Sequence, residues 1–201
     1  MSKVAPTKGN LLAEKKRLEL ARTGYELLDK KRNILIREMM QLIDTATELH
    51  GRIDATFGAA YAALQQANIT GGIRADLAED VPFDDSLTIR YRSVMGVEIP
   101  MVKCDISLPA VPPYGLANSN SALDEAYLRF AEVKSLAATM AEVENSVYRL
   151  ADAIKKTQKR AKALKNIIIP EAEAAIREIS AVLEEKEREE FSRMKIIKKR
   201  S

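Results

Sequence analysis

The chain has 201 residues and a formal net charge of +3; 46% of its residues are hydrophobic and only 5% are aromatic. Charged residues make up 30%, and this mixture of aliphatic and charged side chains is typical of long helices and coiled coils. The single cysteine excludes an internal disulfide. The sequence contains neither an apolar leader nor a run of about 18 apolar residues, so we expect a soluble, cytoplasmic chain.

Apolar residues recur at heptad spacing from about residue 10 to residue 66. Two interleaved series advance in steps of seven, which is the a/d pattern of a helix that supercoils around a partner. They are Leu11, Leu18, Tyr25, Arg32, Met39, Ala46, Ile53 and Ala60, and Glu14, Ala21, Leu28, Leu35, Leu42, Leu49, Thr56 and Ala63. Glu14 and Arg32 interrupt the seam, where polar residues commonly fix the register at a cost in stability. Three glycines, Gly24, Gly51 and Gly58, either weaken this helix or permit close helix approach.

The middle of the chain changes character after Thr70-Gly71-Gly72, a turn signal. Apolar and polar side chains then alternate through Leu87, Ile89 and Tyr91, and resume after Met95-Gly96. This alternation predicts short strands or a hairpin, followed by a loop at residues 109–115.

A second helical region begins near Ser121, where Asp124 and Glu125 favour a helix N-terminus. Its apolar series is Leu150, Ile154, Ala161, Leu164, Ile168, Ala172, Ile179 and Leu183. The step from Ile168 to Ala172 breaks the strict heptad, and Pro170 lies at that break. Because proline removes one helix hydrogen bond, the sequence predicts a bend there.

These patterns predict a mainly α fold with two long helices in an antiparallel intrachain coiled coil. We divide the chain into an N-terminal coiled-coil helix (1–66), a middle insert with a hairpin and loops (67–120), and a C-terminal coiled-coil helix (121–201). An insert of this length is longer than a helix connection requires, which indicates a task of its own.

Motifs of catalytic and metal sites are absent from the sequence. There is no G-x-x-x-x-G-K-[ST] phosphate loop, no H-E-x-x-H and no C-x-x-C. His50 and Cys104 are interpreted as surface or packing residues, and the glutamates of residues 184–190 as a solvated helix face. We therefore expect no catalytic, cofactor-binding or metal-binding residues.

Basic clusters on both helical regions raise the possibility of nucleic-acid binding. Interspersed acidic residues, a small net charge and the lack of stacking aromatics argue against it. In an antiparallel pair both chain ends lie at one tip, which would collect Lys3, Lys8, Lys15, Lys16, Lys195, Lys198, Lys199 and Arg200. A basic tip of this kind favours insertion into a socket of a partner protein.

Three segments together resemble the family of D subunits of V-type and A/V-type rotary ATPases. They are residues 5–11, continued by Gly24, Leu27, Leu28, Lys31 and Arg32; residues 94–100; and residues 166–170 with 187–195. These segments span nearly the whole chain and occur in the same order as in that family. The short ending after Met194 departs from the family's pattern.

The resemblance implies a non-catalytic rotor shaft of the central stalk that transmits torque and binds neither nucleotide nor nucleic acid. It implies partners: the catalytic A and B subunits, a small central-stalk F subunit, and a funnel-like subunit coupling to the membrane ring. The chain would be a cytoplasmic, peripheral part of a membrane-bound complex. Candidate rotor–stator contacts are Lys8, Lys15, Lys16, Lys195, Lys198 and Lys199, and the candidate insert hairpin comprises Val94, Met95, Gly96, Val97 and Ile99.

Two other functions remain open from the residues alone. One is a generic coiled-coil scaffold or tether, which a mass measurement would reveal if it formed a homodimer. The other is a basic helical nucleic-acid-binding protein, which would show a steep salt dependence of its affinity for duplex.

Overall fold

The structure, a computed structural model, describes residues 5–73, 81, 85–104, 113, 114 and 119–200, with the backbone alone at residue 200. Helix α1 spans Lys8–Gly71, strands β1 and β2 span Leu87–Val94 and Val97–Cys104, and helix α2 spans Ser121–Ala163. A π-helical turn at Leu164–Ile168 leads into helix α3, Ile169–Arg200. The predicted mainly α fold with a small β-sheet in the middle is confirmed. The division at residues 66 and 120 stays a prediction, and most of the predicted loop 109–115 lies outside the described residues.

The chain forms two compact units, one of residues 1–34 with 154–201 and one of residues 35–153. In the first unit α1 and α3 run antiparallel, because contacts that advance along α1 recede along α3. Lys8 Nζ lies 2.9 Å from Glu187 Oε1, and Arg22 Nη2 lies 2.7 Å from Glu173 Oε1. Small buried residues, among them Ala21, allow the helices to approach closely.

Burial follows the predicted heptads. Every residue of the two α1 series and of the apolar series in α2, the π turn and α3 is buried or half-buried. The two polar interruptions are paired within α1 itself. Arg17 Nη1 lies 3.5 Å from Glu14 Oε1, and Arg32 Nη2 lies 2.6 Å from Asp29 Oδ1. Each of the two charged seam residues, Glu14 and Arg32, therefore has an ion-pair partner on its own helix.

A π-helical turn precedes Pro170, and the bend predicted there stays a prediction. The backbone N–H of Ile169 donates to the carbonyl of Leu164, five residues earlier. Pro170 has no N–H to donate to the carbonyl of Asn166, and its ring crowds that carbonyl, so the turn widens by one residue. Ile168 and Ala172 both face inward across this wider turn.

The core of the second unit lies between α1 and α2. Its buried residues are Leu49, Leu136, Met140 and Val143, with Leu42, Ala46, Ile53 and Val147 packed against them. Nearby, the ring of Tyr61 meets Phe130 edge-on at a centroid distance of 5.6 Å. Tyr61 follows Leu49 along α1, whereas its partner Phe130 precedes Leu136 along α2, so the helices of this unit are antiparallel too.

Hydrogen bonds connect the end of α1 to the start of α2. Asn120 Oδ1 accepts from the N–H of Leu123 at 2.8 Å, which caps α2. The Asn120 side-chain amide also donates to Thr70 Oγ1 at 2.8 Å. Gly72 closes α1 with a φ of 76° and an N–H that donates to the carbonyl of Asn68.

Strands β1 and β2 form an antiparallel hairpin whose register runs from Leu87↔Cys104 to Val94↔Val97. Its two-residue loop consists of Met95 and Gly96, with φ of 50° and 76°. Two positive φ angles define a type I′ turn, whose twist matches that of the strands. None of the helices in the described residues contains a stretch long and apolar enough to cross a membrane.

Candidate functional site

An open groove of about 380 Å³ lies near the start of α1, between that helix and α3. Its lining residues are Lys8, Leu11, Leu12, Lys15, Ser180, Leu183, Glu184 and Glu187. The hydrogen bond from Lys8 to Glu187, together with the charge of that carboxylate, raises the pKa of the Lys8 ammonium above its ordinary value. Two of the predicted contact lysines therefore line a groove of mixed charge that also has apolar side chains in its lining.

The remaining predicted lysines lie elsewhere on the surface. Lys16, Lys198 and Lys199 are exposed, and Lys195 Nζ lies 4.7 Å from the centroid of the Phe191 ring. Eight residues of helix separate Lys195 from Glu187, a rise of about 12 Å. The structure thus brings Lys8 and Lys15 together and places the three C-terminal lysines farther along α3.

Exposed apolar side chains accompany those C-terminal lysines. Phe191, Met194 and Ile197 are 56%, 61% and 68% exposed, and they follow one another at three-residue steps along α3. Large apolar groups grouped on a surface mark an interaction site. From the sequence, only the lysines of this tail are predicted contacts; the three-residue spacing of its apolar residues is the signal that could have indicated this surface.

The outer side of α1 carries a second apolar row. Leu20, Leu27 and Ile34 follow heptad steps of their own and are exposed. Each of them directly precedes a seam residue, and their exposure shows that they lie outside the buried seam.

The predicted hairpin residues divide into two groups. Ile99 is fully buried, and Val94 and Val97 are half-buried beside the turn. Met95 and Gly96 are exposed at the tip. Ile99 therefore fixes the hairpin, while the tip is available for contact.

Polar contacts from both helices of the second unit hold the hairpin. Arg92 Nη2 lies 2.5 Å from Glu38 Oε1 on α1. From α2, the guanidinium of Arg149 lies 5.5 Å from the centroid of the Tyr91 ring. The hairpin thus has a defined position on the helix pair of its own unit.

The residues set aside as candidate ligands stand apart from one another. His50 is exposed, and Cys104 is half-buried with its Sγ 3.9 Å from Ser86 Oγ. Across the described part of the chain, no three histidine, cysteine, aspartate or glutamate side chains are grouped to hold a metal ion. The geometry favours contact surfaces as the functional features of the described residues.

Comparisons with known proteins find similarity over nearly the full length of the chain. A family model for the ATP synthase D subunit matches residues 10–199. The chain is 44% identical over 199 residues to the D subunit of a V-type ATP synthase of Thermotoga neapolitana, an alignment covering 98% of both chains. It is 37% identical over 200 residues to the D subunit of an A-type ATP synthase of Pyrococcus furiosus, covering 98% of this chain and 94% of the other.

Proposed function

The chain belongs to the family of ATP synthase D subunits, and we propose that it is the central rotor shaft of a V-type or A-type ATPase or ATP synthase. In this role it transmits torque between the catalytic A/B hexamer and the ion-translocating ring of the membrane. The observation that carries the proposal is the run of buried and half-buried heptad residues along the helices. Such interdigitated packing resists twisting, and a torque-transmitting element needs that resistance.

The proposed partners are the catalytic A and B subunits, a small F subunit and a funnel-like subunit that couples to the membrane ring. The groove at Lys8 and Lys15 and the exposed apolar residues near Phe191 support contacts with such partners. Exposed ion pairs contribute only about 0–1 kcal/mol each. Weak contacts of this kind can be exchanged as a shaft turns within a ring. The chain itself would be non-catalytic and cytoplasmic, held at the membrane through the complex.

A reversible crosslink tests rotation directly. An Ala13→Cys variant, at an exposed position on α1, is joined in the assembled complex to a ring subunit through a linker that a reductant cleaves. We expect ATP hydrolysis by the complex to fall in proportion to the crosslinked fraction and to return on cleavage. Full hydrolysis with the linker intact would show that this chain is static and would overturn the proposal.

The isolated chain provides a second test. We expect the purified chain alone to hydrolyse no ATP above the level of a heat-denatured sample, because catalysis is assigned to other subunits. Affinity purification from native extract should recover it with a nucleotide-binding hexamer. Turnover by the purified chain, or recovery without such a hexamer, would contradict the proposed role.

A further inference from the structure

The hairpin has two outer edges that differ in chemistry. In a hairpin with a two-residue loop, the residues beside the loop form a hydrogen-bonded pair, and bonded and non-bonded pairs then alternate. Val94 and Val97 are that first pair. The next residue on each strand, and every second residue after it, points its backbone N–H and C=O away from the other strand. The outward-pointing residues of β2 are Glu98, Pro100 and Val102.

The outer edge of β2 is chemically closed. Arg149 Nη1 donates to the carbonyl of Glu98 at 3.1 Å, and the N–H of Val102 donates to Glu142 Oε2 at 2.6 Å. Pro100 between them has no N–H at all. These contacts agree with the alternation, since both fall on outward-pointing residues. Side chains of α2 thus form hydrogen bonds with the backbone groups of β2 that an added strand would need.

The outer edge of β1 is open. Its outward-pointing residues are Leu87, Ile89, Tyr91 and Ser93. Within the described residues, no group donates to or accepts from their backbone on this side. Leu87, Ile89 and Tyr91 are also 48%, 53% and 58% exposed. An exposed edge with unpaired backbone groups is a template for another strand, and proteins usually protect such edges.

The two faces beside this edge differ in polarity. Alternate residues of a strand point to opposite faces, so Leu87, Ile89 and Tyr91 give one apolar face. The other face carries Arg90 on β1 and Lys103 on β2, both exposed. In the described part of the chain neither has an acidic partner within an ion-pair distance. A strand that suits both faces would alternate apolar with acidic side chains.

We propose that the outer edge of β1 binds an extended segment of a partner protein in which apolar and acidic side chains alternate, adding a third strand to the hairpin. Main-chain hydrogen bonds would supply affinity, and the two faces would supply specificity. A second copy of this chain is disfavoured because pairing two β1 edges would bring Arg90 of each copy onto one face, where like charges repel. The inference rests on the hairpin alone and does not require the rotor role.

Amide hydrogen exchange of the full chain, measured by NMR, tests the proposal. The probe is an end-capped nine-residue peptide alternating valine with glutamate, and the matched control peptide alternates valine with lysine. We expect the first peptide to slow exchange at Leu87, Ile89, Tyr91 and Ser93. The amides of Thr88, Arg90 and Arg92 already bond to β2 and should change little. The lysine peptide should leave all of them unchanged.

Two variants separate the backbone and charge contributions. Ile89→Pro removes one outward N–H and no bond to β2, and should weaken peptide binding about five- to tenfold, the loss expected from one hydrogen bond. Ile89→Val, which keeps the N–H and an apolar side chain, is its matched control. Should proline disturb the hairpin, the double variant Arg90→Glu, Lys103→Glu keeps the backbone and should transfer binding to the lysine peptide. The double variant Lys155→Glu, Lys159→Glu, at exposed sites on α2, makes the same change in net charge and is the control.

Each outcome decides the matter. Alternating protection with the glutamate peptide, lost on charge reversal, supports the proposal. Uniform protection, protection by both peptides, or none with either overturns it. Slowed exchange that depends on protein concentration without peptide would instead identify a second copy of the chain as the occupant, and would also overturn it.

Discussion

At the scale of single residues, the pair of Lys8 and Glu187 gives a pH-dependent signature. The hydrogen bond to Glu187 is the largest cause of the raised Lys8 pKa, and the charge of Glu190 adds a smaller effect. We therefore expect Glu187→Gln to lower the pKa of Lys8 towards its ordinary value of 10.5. NMR titration of the Lys8 ε-methylene protons measures this change.

The Glu190→Gln variant is the matched control, because it removes one carboxylate of the same helix and should lower the pKa of Lys8 less. The direction of the Lys8 pKa shift determines how the contribution of the pair to the free energy of unfolding changes with pH. Since folding raises the pKa of Lys8, the stabilising contribution of the pair is fully present below the unfolded pKa and is lost as pH rises through the folded one. A larger effect of Glu190→Gln than of Glu187→Gln would contradict the assigned pairing.

Glu14 is the one acidic residue of the seam, and it is only 9% exposed. Its contact in the structure is Arg17, which is largely exposed. Replacing a buried ion pair with an apolar side chain is often neutral or stabilising, by about 1–4 kcal/mol. We expect Glu14→Leu to raise the free energy of unfolding by about 1–2 kcal/mol, measured by urea denaturation, because Arg17 can remain in solvent.

Glu19→Leu, at an exposed position of the same helix, is the control for Glu14→Leu. It should change the free energy of unfolding by no more than about 0.5 kcal/mol. A loss of stability in Glu14→Leu but not in Glu19→Leu would contradict the expected gain, because it would show that the Glu14 carboxylate stabilises the helix pair. That result would favour the role that polar seam residues have in coiled coils.

At the scale of elements, Gly24, Gly51 and Gly58 of α1 are not sites of close helix approach. A Cβ added at Gly51 or Gly58 would meet nothing within 4 Å, and one at Gly24 would lie 3.6 Å from Leu164 Cδ1, an ordinary contact. We expect alanine at Gly51 or Gly58 to raise the free energy of unfolding by about 1 kcal/mol, the difference in helix propensity. Urea denaturation measures it.

Gly72→Ala is the matched control for these glycine variants. Gly72 also has open space around its Cβ position, but its φ is 76°, where an L-residue costs about 1–2 kcal/mol. The same substitution should therefore destabilise the protein at Gly72 and stabilise it at Gly51 and Gly58. A loss of stability at Gly51 would show that backbone flexibility within α1 is required for folding.

The elements also show what sequence could and could not predict. Heptad spacing was sufficient for the seam, because which side of a helix is buried depends mainly on the period of its apolar residues. It could not supply the π turn, since a helix can accommodate the hydrogen bond lost at Pro170 either by a kink or by a wider turn. Nor could it find Glu142 and Arg149 at the hairpin, because those contacts join residues about 40 to 50 positions apart in the chain.

The predicted lysines illustrate the same limit at the candidate site. Their exposure followed from polarity, whereas the pairing of Lys8 with Glu187 depends on the helix register, which spacing within each helix does not fix. The apolar groups around Phe191 were overlooked because abundant charges surround them. The structure adds the contacts of two of these lysines, Glu187 at Lys8 and Phe191 at Lys195.

At the scale of the whole molecule, the helices supply most of the buried residues, whereas the hairpin exposes residues that a partner could contact. The main apolar cluster of the second unit is helical, whereas the hairpin adds the buried Ile99 and meets the helices through polar contacts. Removing residues 94–100, which include the hairpin turn, should therefore leave the helices folded. This division supports an insert that acts on partners without maintaining the helix pair.

Deletion of residues 94–100 tests that division. We expect the helical circular dichroism of the variant to remain largely intact, while coupling of ATP hydrolysis to ion transport in the assembled complex is impaired. Leu49→Ala is the control, because it leaves a cavity in the helical core and should cost about 2–5 kcal/mol with the hairpin intact. Loss of most helicity on deletion of the tip would show instead that buried Ile99 is part of the structure that holds the helices together.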